Sequence, residues 1–358
     1  MKNAEKKPSA SGGSGKSSAA ATNAEVDALN RRALQHMQAG RLADARQLLT
    51  DALGMQPEKA ETLSNLGLLQ AIEGHVDPAI DFYRRAIAAK PDLVEAHFNL
   101  ATALYGQAQH AAAEASWLKA KALRPDNAEI HFSLATLYRE TGRESEARQS
   151  YRQAIDLKPG YAQAHHDLGV VLLSGGSLEE AGQAFEKAIA CQPSYASAFY
   201  NLSIVLKRDG RQAEAETAQR KAIALRPAPQ VEDYNNLGIL LTESKKTKEA
   251  EAAFRQAIAL DAERGEPHGN LGNLLRDAGR YSESEVALRA AVRLMPESAE
   301  LHDGLGLLLY QTGRFEAAEL AFRTAITLRP DFEGAQSHLR ALQHDLNSGA
   351  DEQVPDGA

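Results

Sequence analysis

Residues 128–161 read AEIHFSLATLYRETGRESEARQSYRQAIDLKPGY, and the same grammar returns every 34 residues along the chain. Pro57, Pro91, Pro125, Pro159, Pro193 and Pro227 stand 34 apart, and Pro296 and Pro330 resume the spacing. Ala262 takes the proline's place between the two runs, and one extra residue near Pro229–Gln230 shifts the phase. With this proline set as position 32, nine repeats begin at Val26, Ala60, Val94, Ala128, Ala162, Ala196, Val231, Gly265 and Ala299. A fixed period of this length signals stacked supersecondary units, each of which needs its neighbours to bury a hydrophobic face.

Inside a repeat the residue sizes explain one another. Position 7 is leucine in eight repeats, and position 8 is small in all nine: Ala33, Gly67, Ala101, Ala135, Gly169, Ser203, Gly238, Gly272 and Gly306. Position 20 is alanine except for Ser284, and position 27 is alanine throughout, from Ala52 to Ala325. Position 24 supplies bulk, as in Tyr83, Trp117, Tyr151, Phe185 and Phe322, with Gln219 as the exception. Small residues at fixed heights let two helix backbones approach closely while the larger ones interdigitate. Glycine at position 15, as in Gly142, suits the left-handed residue that ends a first helix, and the proline at position 32 stops a second. Helices of about 12–14 residues are too short to persist alone in water, so stacking must supply the stability.

The remaining composition narrows the function. The chain has 358 residues, 43% of them hydrophobic and 25% charged, which is ordinary for a folded protein. Its 40 basic and 48 acidic residues leave a net charge of −8, which argues against a nucleic-acid binder or a basic membrane-surface protein. Nothing approaches 18 consecutive apolar residues, so no membrane span is predicted. Residues 1–24 (MKNAEKKPSASGGSGKSSAAATNA) lack the apolar stretch of a secretory signal, and a cytoplasmic location is expected. They and the acidic residues 347–358 are expected to be disordered tails around a folded region at 25–346. Ala10–Ser17 reads ASGGSGKS, a relaxed phosphate-loop pattern, but no strand precedes it and it is taken as linker. Cys191 is the single cysteine, which excludes an internal disulfide; it is expected to be a small apolar filler.

With its large residue, Leu-Gly/Ala pair, alanine, aromatic, alanine and proline at fixed register over about 305 residues, the pattern resembles the tetratricopeptide repeat (TPR) family. The resemblance implies an all-α, right-handed α-α superhelical solenoid of nine helix pairs, with the first helices lining a concave groove. The amphipathic stretch at 333–346 resembles the solvating helix that closes such arrays, and Arg32 at position 7 of the first repeat suits a polar cap.

Positions 2, 6 and 9 of each first helix fall on one stripe. Position 6 carries Asn65, Asn99, Asn201, Asn236 and Asn270. An amide offers both donor and acceptor, so such a row could hold an extended chain by its backbone. The row resembles the asparagine ladder of O-linked N-acetylglucosamine transferases and SPINDLY-type proteins. Ser133, Asp167 and Gly304 interrupt it, and Asp167 is itself a candidate contact. Phe98, Phe132, His166 and Tyr200 at position 5, with Tyr105, are candidates for pockets that select partner side chains. Position 2 is acidic in seven repeats (Asp27, Glu61, Glu95, Glu129, Glu232, Glu266 and Glu300), which favours the helix N-termini and points to Lys/Arg-containing partners.

His97, His131, His165, His268 and His302 share position 4 but are a repeat apart, so packing rather than metal binding is expected of them. No cofactor or metal is expected. The reading is of a non-catalytic scaffold or adaptor that binds extended protein segments, with self-association as a further use of its exposed surfaces. The basic clamp of TPR co-chaperones, which hold acidic chaperone tails, has no counterpart on this carboxylate-rich stripe. The alternative is the substrate-recognition arm of an O-linked N-acetylglucosamine-transferase-like enzyme. Only 12 residues follow Leu346, so its catalytic part would lie on another chain.

Overall fold

The computed structural model describes residues 14–351, which form nineteen α-helices and no strand. They divide into two compact units, one reaching to Val171 and the other beginning at Leu172. The first holds α1 (Ser14–Gln38), α2 (Leu42–Met55), α3 (Ala60–Ile72), α4 (Val76–Ala89), α5 (Val94–Gly106), α6 (His110–Leu123), α7 (Ala128–Glu140) and α8 (Glu144–Leu157). Helix α9 (Ala162–Ser174) straddles the division. The second holds α10 (Leu178–Cys191), α11 (Ala196–Arg208), α12 (Gln212–Leu225), α13 (Val231–Glu243), α14 (Thr247–Leu260), α15 (Gly265–Asp277), α16 (Tyr281–Leu294), α17 (Ala299–Gln311), α18 (Phe315–Leu328) and α19 (Glu333–Asp351). Within each unit the two helices of a repeat pack on each other, and the second helix then packs on the first of the next repeat. Each unit is therefore an α-α solenoid, the fold class the repeat pattern predicts.

The small residues sit where the period places them. Every alanine at position 27, and every residue at position 20 including Ser284, has no exposed surface. Position 8 faces position 24 of the same repeat. A Cβ added to Gly67 would stand 2.6 Å from Tyr83 Cε1, one on Gly272 2.6 Å from Leu288 Cγ, and one on Gly306 2.6 Å from Phe322 Cε1. The notch and the bulky group are thus two halves of one contact, repeated along the chain. Gln219, the polar exception at position 24, is also fully buried. It accepts from Ser203 Oγ at 2.7 Å and donates through Nε2 to the Asp233 carbonyl at 2.8 Å, so the polar substitutions at positions 8 and 24 satisfy each other.

The turns follow equally local chemistry. Gly142 has φ 73°, its N–H bonds to the Arg139 carbonyl at 3.2 Å, and the Arg143 N–H reaches the Tyr138 carbonyl at 2.8 Å. This closes the first helix with a Schellman-type pair. Ala108 and Lys245, which replace glycine at position 15, adopt the same left-handed conformation with φ 57°.

The position-4 histidines act on the chain's own turns. His97, His131, His165, His268 and His302 each bring Nε2 to 2.8–3.0 Å of the carbonyl of Pro91, Pro125, Pro159, Ala262 and Pro296 respectively. Gln336, at the equivalent place in α19, bonds to the Pro330 carbonyl in the same way at 2.6 Å. At these six places a side-chain donor thus satisfies a carbonyl left over where the second helix ends.

Several expectations need correction. Helix α1 begins at Ser14, so residues 14–24 are helical rather than a tail; residues 1–13 and 352–358 lie outside the described residues. The added turns continue a helix whose later part is packed, and the Asn23 side chain accepts from Gln56 Nε2 at 2.5 Å. For the phosphate-loop-like stretch, Ala10–Gly13 lie outside the described residues and Ser14–Ser17 open α1. The closing helix runs to Asp351, past the expected end at 346. Cys191 is exposed at the last position of α10 and fills no core site. Arg32 is exposed, as its place in the first repeat predicts.

Candidate functional site

The stripe formed by positions 2, 6 and 9 is the face whose side chains the packing leaves half-open. Asn65 and Asn99 belong to the first unit, and Asn201, Asn236 and Asn270 to the second. All five are half-buried. Asn65 Nδ2 donates to Asn30 Oδ1 at 2.9 Å, Asn270 Nδ2 to Asn235 Oδ1 at 2.9 Å, and Asn236 Nδ2 to the Tyr200 hydroxyl at 2.9 Å. In each case a position-6 amide is tied to position 5 of the preceding repeat. His338 Nδ1 on Asp303 Oδ1, at 2.8 Å, continues the pattern into α19. Asn30 anchors the first pair firmly, because its own Nδ2 donates to the Val26 carbonyl at 3.0 Å and to Thr62 Oγ1 at 2.8 Å. The Asn99 side chain has no hydrogen-bond partner among the described residues. At Gly304 a Cβ would stand 3.0 Å from Asn273 Oδ1, so that side chain would have to shift to admit an amide.

Two clefts open on this face. In the first unit, about 290 Å3 lies among Asp27, Arg31, Leu34, Asn65, Leu93 and Glu95. In the second, about 350 Å3 lies among Ile204, Lys207, Arg208, Asn236, Ile239 and Leu240. Each sets an asparagine of the row beside leucine or isoleucine and charged side chains.

The aromatic candidates are all half-buried, and most of them contact neighbouring side chains. Tyr105 packs on Trp117 with ring centroids 5.5 Å apart and on His110 at 5.8 Å. Phe132 lies between Tyr151, at 5.7 Å, and Tyr161, at 5.0 Å. Burial pushes the Tyr151 hydroxyl up to about 12. Burial also raises Tyr105, and the neighbouring Glu140 raises it further. His166 Nδ1 meets Asp167 Oδ1 at 2.8 Å. Tyr200 lies under the Arg226 guanidinium, 5.3 Å from ring centroid to carbon, and burial raises its hydroxyl. Phe98 is half-buried. Of the predicted residues, the fold brings together Asn236 with Tyr200 and His166 with Asp167. Phe132 and Tyr105 are turned into neighbour contacts.

The position-2 acids are largely paired within the chain. Asp27 meets Lys59 at 3.0 Å, Glu61 meets Lys90 at 2.9 Å, Glu95 meets Arg124 at 2.9 Å, Glu232 meets Arg264 at 2.5 Å, and Glu300 meets Arg329. Burial works against the Glu61 charge, but the Lys90 hydrogen bond and its backbone partner hold this carboxyl below its usual range. A basic partner would have to displace these pairs.

Sequence reasoning missed Asn30 and Asn235. The signal that could have found them is a spacing of 35, one more than the period, which links Asn30 with Asn65 and Asn235 with Asn270. No helix among the described residues is long and apolar enough to cross a membrane, and none of their His, Cys, Asp and Glu side chains form a metal-holding group of three.

Comparisons with known proteins agree with this architecture. The sequence model of the cilia and flagella-associated protein 70 C-terminal domain matches residues 131–342, and a tetratricopeptide-repeat model matches residues 30–94 and 98–162. No curated protein sequence matches the chain. Among solved structures, the chain resembles one in the crystal structure of the APC/C hetero-tetramer Cut9–Hcn1 at 15% identity and a TM-score of 0.53. That likeness covers 84% of this chain and 59% of the other, and it concerns the fold alone. YrrB, described as a TPR protein with an unusual peptide-binding site, matches at 22% identity and a TM-score of 0.46, over 53% of this chain and 98% of its own. MamA matches at 26% identity and a TM-score of 0.43, over 44% of this chain and 93% of its own.

Proposed function

This chain belongs to the family of the cilia and flagella-associated protein 70 C-terminal domain, a tetratricopeptide-repeat family, and from that premise we propose that it is a non-catalytic scaffold or adaptor. It binds extended segments of partner proteins along its asparagine-bearing face. The observation that carries this reading is the fixing of Asn65, Asn236 and Asn270 through Nδ2 by the preceding repeat. An amide held by one end keeps its oxygen available in a set orientation, ready to accept a backbone N–H. Preformed acceptors lower the ordering cost of binding on the receptor side. The apolar side chains beside them, Leu34 and Leu93 in one cleft and Ile204 and Ile239 in the other, offer places for alternate partner side chains.

The same bonds support repeat stacking, so a structural role for the row coexists with a binding one. Asn99 separates the two, because its amide stitches nothing within the described residues. The test is in-cell crosslinking with mass spectrometry on three forms: the parent, Asn99→Ala, and a variant with all five row asparagines changed to alanine. Asn99→Ala is expected to keep the parent's helicity and thermal midpoint while capturing less partner. Undiminished capture by the fivefold variant would remove the asparagine face from the mechanism. The narrower transferase-arm reading gains no observation beyond the interrupted row and is not favoured.

A further inference from the structure

A second set of contacts, built from ion pairs, joins successive repeats at four of the eight junctions. There the basic residue at position 16 reaches back to a glutamate at position 21 of the preceding repeat; at three other junctions position 16 is His75, Gln109 or Ser177. Arg143 meets Glu114 at 2.8 Å in the first unit, and Lys246–Glu216, Arg280–Glu251 and Arg314–Glu285 do so in the second, each at 2.8 Å. In the second unit each of these glutamates also receives an arginine from one turn further along its own helix. Arg220 meets Glu216, Arg255 meets Glu251 at 2.6 Å, and Arg289 meets Glu285 at 2.8 Å. Base, acid and base thus lie in a row across three consecutive seams.

Within the second unit, the seam between α10 and the pair α11–α12 departs from this arrangement twice. Position 21 is Gly182 and position 25 is Glu186, so the sealing acid is missing and the flanking base is replaced by an acid. Arg211 still occupies position 16. Glu214 holds it at 2.8 and 2.6 Å, as Glu283 holds Arg280. Its Nη1, equivalent to the Arg280 nitrogen that reaches Glu251, has Asp209 at 3.9 Å instead. With no side chain at Gly182, a cleft of about 420 Å3 opens over Leu178, Leu202, Val205 and Leu206. A neighbouring cleft of about 240 Å3 shares Glu186, Leu202, Leu206 and Arg211 with it and extends the floor to Phe199.

The larger cleft carries more acid than base, while Lys221 lines the smaller one with its Nζ 5.4 Å from the Phe199 ring centroid. Glu179, Glu186 and Asp209 line the larger cleft with Arg211, whose charge is already met by Glu214. Among the described residues no basic side chain forms an ion pair with Glu179 or Glu186, although Arg211 is near enough to feel the Glu186 charge; Glu179 accepts only a long contact from Gln183 Nε2, at 3.4 Å. We propose that this cleft is a socket for one lysine or arginine side chain of a partner polypeptide. Its methylenes lie on Leu202, Val205 and Leu206, and its cation meets Glu186 and Glu179. A long basic side chain fits both halves of the site, since its stem is apolar and its head is charged. The partner thereby supplies the base that Arg220, Arg255 and Arg289 supply at the later seams. The socket deepens the protein-binding reading but uses none of the residues at positions 2, 6 and 9, so the two stand or fall separately.

The test uses the full chain with 13C-labelled leucine and valine methyls. It is titrated with capped pentapeptides Ala-Leu-X-Leu-Ala in which X is arginine, norleucine or glutamate. The arginine peptide is expected to shift the Leu202, Val205 and Leu206 methyls saturably, and the norleucine peptide to bind about threefold more weakly, because it keeps the stem and lacks the charge. Gly182→Met fills the cleft and should abolish the shifts. It should not unfold the chain, since methionine favours a helix over glycine and a Cβ at 182 meets only Val205 Cγ1, at 3.4 Å. A thermal midpoint at or above the parent's confirms folding. Glu186→Gln should weaken the arginine peptide and leave the norleucine peptide unchanged. Equal or tighter binding of the glutamate peptide would overturn the proposal in favour of a carboxylate on Arg211. Shifts that persist in Gly182→Met, or that never saturate, would overturn it outright.

Discussion

Ser203 and Gln219 hydrogen-bond across 2.7 Å at the height where other repeats press a glycine or alanine against a leucine or an aromatic ring. Both are buried, and Gln219 also donates through Nε2 to the Asp233 carbonyl. Gln219→Ala should therefore cost about 1–3 kcal/mol for each polar group it strands. Gln219→Phe alone should also destabilise, because the ring meets the Ser203 hydroxyl. Pairing it with Ser203→Gly should recover part of that loss, measured as coupling in a double-mutant cycle by urea denaturation. Strict additivity would show that the two positions do not form one contact.

Gly67 lies beneath the Tyr83 ring. A Cβ there would come within 2.7 Å of two ring carbons and within 3.1 Å of the Ala79 carbonyl oxygen. Gly67→Ala is expected to destabilise the fold by about 1–3 kcal/mol through overpacking, despite alanine's better helix propensity. Gly182→Ala, whose Cβ would meet only Val205 Cγ1 at 3.4 Å, should be neutral or stabilising. Equal midpoints for the two variants in a denaturant titration would mean that the notch at Gly67 is not rigid.

Lys245 holds a left-handed conformation, φ 57°, at the place where seven repeats use glycine. Lys245→Gly should relieve about 1 kcal/mol of backbone strain. The expected readout is a raised thermal midpoint with unchanged circular dichroism.

Glu285 accepts from Arg314 and from Arg289, and these partners hold its carboxyl down at about 2. A depressed folded-state value means that its contribution is complete above the ordinary carboxylate value of 4.5 and is lost as the pH falls from there toward 2. Glu285→Gln should be less stable than the parent at neutral pH and should converge on it in acid. A stability difference that stays constant across that window would contradict the assignment.

Much of this fold can be read along the chain because each repeat solves the same local problem. The alanines at 20 and 27, the turn at 15 and the proline at 32 are short-range requirements of size and backbone geometry, and the structure buries or bends each accordingly. The candidate site is less legible. Position 5 reads in sequence as a row of pocket-forming aromatics, and Phe132 gives part of its surface to Tyr151 and Tyr161. Tyr105 likewise gives part of its own to Trp117. Whether a ring faces a groove or a neighbour depends on which side chain the adjacent repeat presents, and periodicity carries no record of that.

The period determines the all-helical pairing, the order of packing and the stripe that carries the asparagines, because these follow from residue size and from 3.6 residues per turn. Tertiary structure decides which of those side chains are already taken. Asn65 is bound to Asn30, Glu61 is bound to Lys90, and Gly182 leaves a seam open where Glu251 closes its own. A side chain's partners come from helices some thirty residues away, and only their spatial approach settles whether its polar group is satisfied or remains to be met by another molecule.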